Sequence, residues 1–385
     1  MNNFDFHNPT HILFGKGRIS DLNDQIPADA KVLILYGGGS AERTGVLGQV
    51  RKALGDRMIV EFGGIEPNPR FATAMKAVQL IADEGATFLL AVGGGSVIDA
   101  TKFIAAASKF DGDPWEILTS HGAVVTAAMP FGTVLTLPAT GSEMNSGAVI
   151  TNAEKGAKLP FLSAHCYPVF SILDPELTYT LPPRQIANGV ADAFVHIIEQ
   201  YLTYPVAARV QDGFAETLLR TLIELGPKAL DAPKDYDVRA NLMWTATLAL
   251  NGLIGAGVPQ DWASHMIGHE ITAFNDTDHA RTLAVVLPAL LNDQRGPKRE
   301  KLLQYAANVW NIREGEDDAR IDAAIEATRD FFHRMGIQTR LGDYGVAASD
   351  IETIVSALTE HGMTQLGEQG AITPEDARRI LETAQ

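Results

Sequence analysis

Residues 87–102 read Thr-Phe-Leu-Leu-Ala-Val-Gly-Gly-Gly-Ser-Val-Ile-Asp-Ala-Thr-Lys, and this stretch decides the fold class. It opens with an apolar run of strand length, typical of a strand that is buried on both faces. Gly93-Gly94-Gly95 then lead through Ser96 into residues with the composition of a helix. A buried strand that passes through glycines directly into a helix predicts a doubly wound α/β domain, a parallel sheet covered by helices on both faces.

The same alternation extends on both sides of this stretch, and it stops at Pro182-Pro183. Further strands are predicted at 31–36, 58–62, 130–137 and 169–173, and a helix at 71–84. Beyond Pro183 the sequence predicts only helices, at 185–202, 206–225, 238–253, 261–274, 280–292, 299–310 and 318–335. Proline and glycine are expected to mark their joints, as at Gly226-Pro227 and Pro288. We therefore predict a dinucleotide-binding α/β domain over residues 1–182 and an all-helical domain over residues 183–385.

Length, charge and cysteine content narrow the class of protein. A chain of 385 residues exceeds one ordinary core, which agrees with two domains. The formal net charge of −16 disfavours nucleic-acid binding, because an acidic surface repels phosphate backbones. The first residues lack the basic and apolar regions of a signal peptide, and no apolar run reaches the length of a membrane span. The lone Cys166 fits a reducing compartment, so we expect a cytoplasmic protein with no nucleic-acid or membrane partner.

Two Gly-Gly-Gly-Ser segments follow predicted strands, Gly37-Gly38-Gly39-Ser40 and Gly93-Gly94-Gly95-Ser96. Consecutive glycines let backbone N–H groups turn toward one anion, and a following helix N-terminus adds its dipole. Asp99 is expected to cap the helix that opens at Ser96. A lone triplet would indicate only a tight turn, but two copies at strand ends favour dinucleotide binding. The pattern differs from the G-x-G-x-x-G fingerprint.

The choice of dinucleotide depends on the first glycine segment. An acidic residue after an early strand would hold the adenosine ribose and repel a 2′-phosphate, yet positions 37–40 offer only glycines and a serine. The sequence therefore predicts NADP(H) in preference to NAD(H), with Lys158 or Arg43 as counter-charge. A hydroxyl-rich loop follows the strand at 130–137, and Thr136, Thr140 and Ser142 are expected to bond cofactor phosphates or ribose.

Asp192 and His196 in one helical run, and His265 and His269 in another, are spaced i,i+4, and His279 follows ten residues later. That spacing brings side chains together on one helix face, within ~5–6 Å. One such pair would more often be hydrogen-bonded core residues, but two pairs and a third histidine favour a metal. A carboxylate with imidazoles suits Fe(II) or Zn(II), with His269 either a ligand or a neighbour of the ligands.

Together these motifs resemble the iron-containing (group III) alcohol dehydrogenases over essentially the whole chain. The matching segments are Gly93–Asp99, Pro138–Glu143, Asp192–His196, His265–His269 and His279. Within that family the chain is most similar to the NADPH-dependent, broad-specificity aldehyde reductases, also described as butanol dehydrogenase-like. This narrower similarity rests on Tyr36–Ser40, Phe62–Pro69 and Gly257–Trp262. Many relatives have glycine after the last ligand, where this chain has Ala280.

The resemblance implies a dehydroquinate synthase-like fold, a homodimer, and one divalent metal, Fe(II) or Zn(II), on Asp192, His196, His265 and His279. It implies hydride transfer between NADP(H) and short-chain aldehydes or primary alcohols, in which the metal acts as a Lewis acid on the carbonyl oxygen. His269 is then the candidate catalytic proton carrier, with a relay through ribose hydroxyls and water as the alternative.

Other functions on the same plan stay open at this point. The first is an NAD-dependent polyol dehydrogenase or a dehydroquinate synthase-like lyase. A phosphorylated substrate would require several basic residues at the site, and residues 185–274 contain no cluster of Lys or Arg. A non-catalytic nucleotide- or metal-binding protein is the second. A metal hydrolase is the third, and it would leave both glycine segments unexplained.

Overall fold

The computed structural model describes residues 1–385. Its strands are β1 (His11–Phe14), β2 (Val32–Gly37), β3 (Ile59–Ile65), β4 (Phe88–Gly94), β5 (Phe131–Leu137), β6 (Gly147–Asn152), β7 (Ala157–Leu162) and β8 (Phe170–Leu173). The helices before residue 182 are α1 (Leu22–Gln25), α2 (Ser40–Arg43), α3 (Val46–Leu54), α4 (Phe71–Glu84), α5 (Gly95–Ala107) and α6 (Trp115–Thr119). Those after it are α7 (Pro183–Tyr201), α8 (Arg209–Asp231), α9 (Tyr236–Ala249), α10 (Ala263–Asn275), α11 (His279–Asp293), α12 (Arg299–Asn308), α13 (Asp317–Arg334), α14 (Ile351–Glu360) and α15 (Pro374–Thr383).

Six strands form one parallel sheet in the order β1-β8-β5-β4-β2-β3. The central strands β2 and β4 are apolar and buried over most of their length, as a sheet covered on both faces requires. The doubly wound fold predicted for the first half is confirmed. The sequence missed the short edge strand β1, whose four residues show no alternation. The β6–β7 pair is an antiparallel hairpin beyond the sheet.

The predicted helices of the second half are present, but two predicted joints are wrong. Pro227 lies inside α8 and Pro288 inside α11. At the first, a Cβ on Gly226 would stand 2.9 Å from Val190 of α7 and 3.1 Å from the Met335 sulfur, so this glycine allows close packing and does not end the helix. The missing proline N–H bends a helix without necessarily stopping it.

The chain divides into two compact units. The α/β unit comprises residues 7–181 together with 234–247, and the helical unit comprises residues 1–6, 182–233 and 248–385. The predicted domain boundary lies at 182/183. On either side of it, residues 1–6 group with the helical unit and residues 234–247 group with the α/β unit. None of the helices combines the length and apolar character needed to cross a lipid bilayer.

Candidate metal centre and nucleotide-binding loops

The two glycine segments end neighbouring strands of the α/β unit. β2 lies beside β4, and the carboxyl ends of parallel strands meet at one sheet edge. From β2 the chain continues to β3 on one side, whereas from β4 it continues to β5 on the other. The crevice between β2 and β4 is therefore the topological switch point, where open α/β sheets bind their ligands.

Packing alone accounts for the glycines of the second segment. A Cβ at Gly93 would lie 2.5 Å from Val97, one at Gly94 2.9 Å from Leu137, and one at Gly95 2.5 Å from Thr140. The glycines let strand, helix and following loop approach closely, and α5 begins at Gly95 itself. Ser96 is half-buried in its first turn.

Asp99 does not cap α5, which corrects the sequence prediction. It lies beyond the first turn, and its carboxylate accepts hydrogen bonds from the Ser142 hydroxyl (2.6 Å) and the Val149 N–H (3.0 Å). The Ser142 side chain is thus buried and engaged within the protein. Thr140 accepts from the Ser142 N–H (3.1 Å), while Thr136 is half-buried at the end of β5.

Sequence reasoning passed over Lys102, which fixes this loop. Its buried ammonium donates to Ser142 Oγ (2.8 Å), Asn145 Oδ1 (2.7 Å) and the Gly147 carbonyl (2.7 Å), so all three protons are used. Burial lowers the pKa of Lys102 to about 8, against the opposing effect of Asp99. The only sequence signal was a lysine three residues after Asp99 in a mostly apolar helix.

The first glycine segment is more open. No atom lies within 4 Å of a Cβ built on Gly38, and both Gly38 and Ser40 are exposed. Gly37 is half-buried, and Gly39 adopts φ +91°, which favours glycine. Of the two predicted counter-charges, Arg43 places Nη1 3.4 Å from where a Gly39 Cβ would stand. Lys158, on β7, is buried and donates to Asn68 Oδ1 (2.9 Å).

In the helical unit, Asp192, His265 and His279 converge from three helices, α7, α10 and α11. Each offers a ligand atom, and these atoms all lie within 4.8 Å of one another. The distance from Asp192 Oδ1 to His279 Nε2 is 3.7 Å. A buried carboxylate and two imidazoles at this separation fit one Fe(II) or Zn(II) ion.

His196 and His269 adjoin this group. His196 Nε2 is 3.9 Å from Asp192 Oδ1, and its ring stacks on that of His265 at 4.6 Å between centroids. Burial lowers the pKa of His196 to about 4, so the ring is neutral at pH 7, which is the form that binds metals. The His269 ring, one turn after His265, lies 5.0 Å from the His279 ring.

Glu199 is a second residue that the sequence analysis missed. It follows Asp192 and His196 at i+7 and i+3, so it lies on the same face of α7, and it is buried. Its carboxylate contacts His265 Nδ1. The i, i+4, i+7 stripe was visible in the sequence, but its partner 66 positions away was not.

Known proteins give consistent comparisons. The family model described as iron-containing alcohol dehydrogenase matches residues 9–175, and the C-terminal model of the same family matches residues 186–385. The chain is 63% identical to the NADPH-dependent aldehyde reductase YqhD of Escherichia coli K12, over the whole of both chains. It is 39% identical to the probable NADH-dependent butanol dehydrogenase 1 of Bacillus subtilis, again over both full lengths.

Solved structures agree with this assignment. The crystal structure of E. coli K-12 YqhD superimposes with a TM-score of 0.99 and 62% identity, covering 100% of this chain and 99% of that one. The two glycine segments lie at the topological switch point of the sheet, and Asp192, His265 and His279 converge in the helical unit. The chain belongs to the iron-containing alcohol dehydrogenase family, as its resemblance predicted.

Proposed function

We propose that this protein is a metal-dependent aldehyde reductase that transfers a hydride between NADP(H) and short-chain aldehydes or primary alcohols. The observation that carries the proposal is the convergence of Asp192, His265 and His279, with ligand atoms within 4.8 Å, in a chain of this family. Its 63% identity to an NADPH-dependent aldehyde reductase supports the direction and the cofactor.

Within this proposal Asp192, His196, His265 and His279 hold one divalent cation, Fe(II) or Zn(II). When bound, the cation polarises the carbonyl oxygen as a Lewis acid, an effect worth several kcal/mol. The protein's part is to keep His196 neutral, which its burial does, and to hold the ligands in place through the packing of α7, α10 and α11. His269 is the proposed proton carrier, because its ring lies 5.0 Å from that of His279 and it is not among the four ligands that the family resemblance implies.

The surroundings of the first glycine segment support NADP(H) over NAD(H). Positions 37–40 hold no carboxylate, and the nearby Glu42 pairs with Arg51. Ser40 is exposed and Arg43 stands beside Gly39, so a 2′-phosphate there would meet a hydroxyl and a cation. We assign the counter-charge to Arg43, since Lys158 is buried and bonded to Asn68. The 39% identical relative is described as NADH-dependent, so the cofactor needs its own measurement.

We further propose a cytoplasmic homodimer without nucleic-acid or membrane partners. The acidic charge of −16 supports the absence of nucleic-acid partners, and the lone, buried and unpaired Cys166 supports a reducing compartment. The dimer is what the family resemblance implies. Sedimentation equilibrium tests the dimer, and a sedimenting species of one chain's mass contradicts it.

The function is tested by following oxidation of NADPH and of NADH with a panel of short-chain aldehydes. The assay is run as purified, after chelation, and after return of Fe(II) or Zn(II). We expect chelator-sensitive turnover that prefers NADPH and returns with metal. Metal-loaded protein that oxidises neither cofactor contradicts the proposal and favours a lyase or a non-catalytic protein on this fold.

A further inference from the structure

Glu199 links two of the three helices that contribute to the candidate metal centre, α7 and α10. It lies on α7 with Asp192 and His196, yet its carboxylate reaches α10. Oε1 accepts hydrogen bonds from the backbone N–H groups of Ser264 (2.6 Å) and His265 (3.3 Å), and Oε2 contacts the Nδ1 of His265. One carboxylate therefore meets two backbone N–H groups of α10 and the Nδ1 of His265. Burial and the neighbouring Asp261 raise the pKa of Glu199, and the two backbone donors oppose that rise.

The start of α10 depends on these contacts. Its N-cap residue, Trp262, supplies no capping side chain and adopts φ +64°, a left-handed conformation that is unfavourable for a bulky residue. The first-turn N–H groups are satisfied from elsewhere, Ala263 by Asp261 Oδ1 (2.9 Å) and the next two by Glu199. A cap supplied by another helix fixes where α10 begins, and hence where His265 stands.

The contact with Nδ1 also sets the tautomer of His265. A histidine that binds a metal through one ring nitrogen commonly donates its other ring N–H to a carboxylate, and the contact between Glu199 and Nδ1 matches that arrangement, with the lone pair left on Nε2. Nε2 is then the ring nitrogen available to a cation. Partners of this kind orient histidine ligands and raise their basicity.

We propose that Glu199 is a positioning residue that fixes the tautomer and orientation of His265 for metal binding. The inference rests on the proposed metal centre. Glu199 does not itself bind the metal in this proposal. Its role requires two acceptor oxygens on one side chain.

Glu199→Gln tests that requirement with almost no change in volume. A glutamine has one carbonyl oxygen, so it cannot accept from both the α10 backbone and Nδ1. If the glutamine oxygen accepts from the α10 backbone, its amide NH₂ faces Nδ1 of His265. That contact favours the tautomer in which Nε2 carries the proton, and a protonated Nε2 cannot bind metal. Glu199→Asp keeps two acceptors but shortens their reach, so it should restore part of the loss.

The matched control is Glu216→Gln. Glu216 is also a buried carboxylate of the helical unit, and its Oε1 accepts from Tyr201 (2.9 Å), Gln304 (2.8 Å) and Asn308 (2.9 Å). No contact joins it to the candidate ligands. This substitution also replaces one carboxylate oxygen by an amide nitrogen within a comparable set of hydrogen bonds, so it reports the general effect of such a change.

The experiment is a Co(II) titration of apo-protein against a competing chelator, with the visible absorption of bound cobalt recorded and folding checked by circular dichroism. We expect about a 10- to 100-fold loss of affinity and altered cobalt bands for Glu199→Gln, a smaller loss for Glu199→Asp, and no change for Glu216→Gln.

Cobalt binding by Glu199→Gln equal to wild type, with the same bands, overturns the role of Glu199 and leaves the metal centre standing. So does an equal loss in Glu216→Gln. Wild-type protein that binds no cobalt overturns the metal centre, and this inference with it. If Glu199→Gln does not fold, Glu199→Asp decides, because unchanged affinity and bands in that variant contradict the proposal.

Discussion

Gly95 and Gly38 occupy the two glycine segments, but their surroundings differ. An alanine Cβ at Gly95 would stand 2.5 Å from Thr140, whereas one at Gly38 meets nothing within 4 Å. We expect Gly95→Ala to displace the 140–142 loop, lowering stability by about 1–3 kcal/mol and weakening NADPH binding. Gly38→Ala should leave stability unchanged and weaken only NADPH binding, because the added methyl group would stand on the open surface that the cofactor is proposed to approach.

Thermal unfolding and NADPH titration of the two variants separate these effects. Gly38→Ala that binds NADPH as tightly as wild type would remove the first glycine segment from the cofactor site. If Gly95→Ala unfolds at the wild-type temperature, the Thr140 side chain can move aside without a measurable loss of stability.

His269 makes a separate prediction at the same scale. His269→Asn should retain metal, since His269 is not one of the four proposed ligands, but turnover should fall about 10²- to 10⁴-fold if the ring carries the proton. Metal content is measured together with kcat. The control is His333→Asn, an exposed histidine of α13 bonded to Thr339, which should behave as wild type. Wild-type turnover in His269→Asn would favour the relay through ribose and water.

Among the elements, Lys298 joins three chain segments in the helical unit. Its buried ammonium donates to the Leu202 carbonyl at the end of α7 (2.7 Å) and pairs with Asp261 before α10 (2.8 Å) and Glu368 before α15 (2.8 Å). Lys298→Met would strand two buried carboxylates, so we expect a loss of about 3–5 kcal/mol in the free energy of unfolding.

Denaturant unfolding measures this loss, with Lys228→Met as control. Lys228 forms an exposed i,i+4 pair with Glu224, which should be worth no more than about 0.5 kcal/mol. Burial opposes the charge on Lys298, but Asp261 and Glu368 prevail and raise its pKa. The stabilisation should therefore persist at neutral and mildly alkaline pH and decline only above the ordinary lysine range. Equal losses of unfolding free energy in Lys298→Met and Lys228→Met would contradict a structural role for the buried group of Lys298, Asp261 and Glu368.

Periodicity predicted the helices well because apolar spacing is local, and the i,i+4 pairs of α7 and α10 followed from it. The contacts that position those helices are not local. Glu199 meets α10 across 66 positions, and Gly226 looks like a helix end until Val190 and Met335 are seen against it. Local sequence signals cannot separate a glycine that ends a helix from one that lets two helices touch.

For the whole molecule, the division into units shows the same limit. Residues 234–247 have a helical pattern and lie within the predicted helical half, yet they group with the α/β unit. Contacts within that unit explain it: Trp244 meets Phe14 edge-on at 6.0 Å, Arg239 donates to Thr178 Oγ1 (2.8 Å), and Thr247 donates to Glu143 Oε1 (2.5 Å). Helical spacing predicts that a face is buried, but not which unit buries it.

Because Asp192, His265 and His279 all belong to the helical unit, a bound metal would cross-link α7, α10 and α11 there. A ligand at a thousand times its Kd stabilises the bound state by about 4 kcal/mol. We expect hydrogen exchange to accelerate in these three helices on chelation, while β2, β4 and β5 of the α/β unit exchange as before. Mass spectrometry of metal-loaded and chelated protein measures both at once. If chelation accelerates exchange only in the sheet, or changes exchange nowhere, the three side chains do not hold the metal. If adding Fe(II) or Zn(II) restores slow exchange in α7, α10 and α11, the metal lies between these helices.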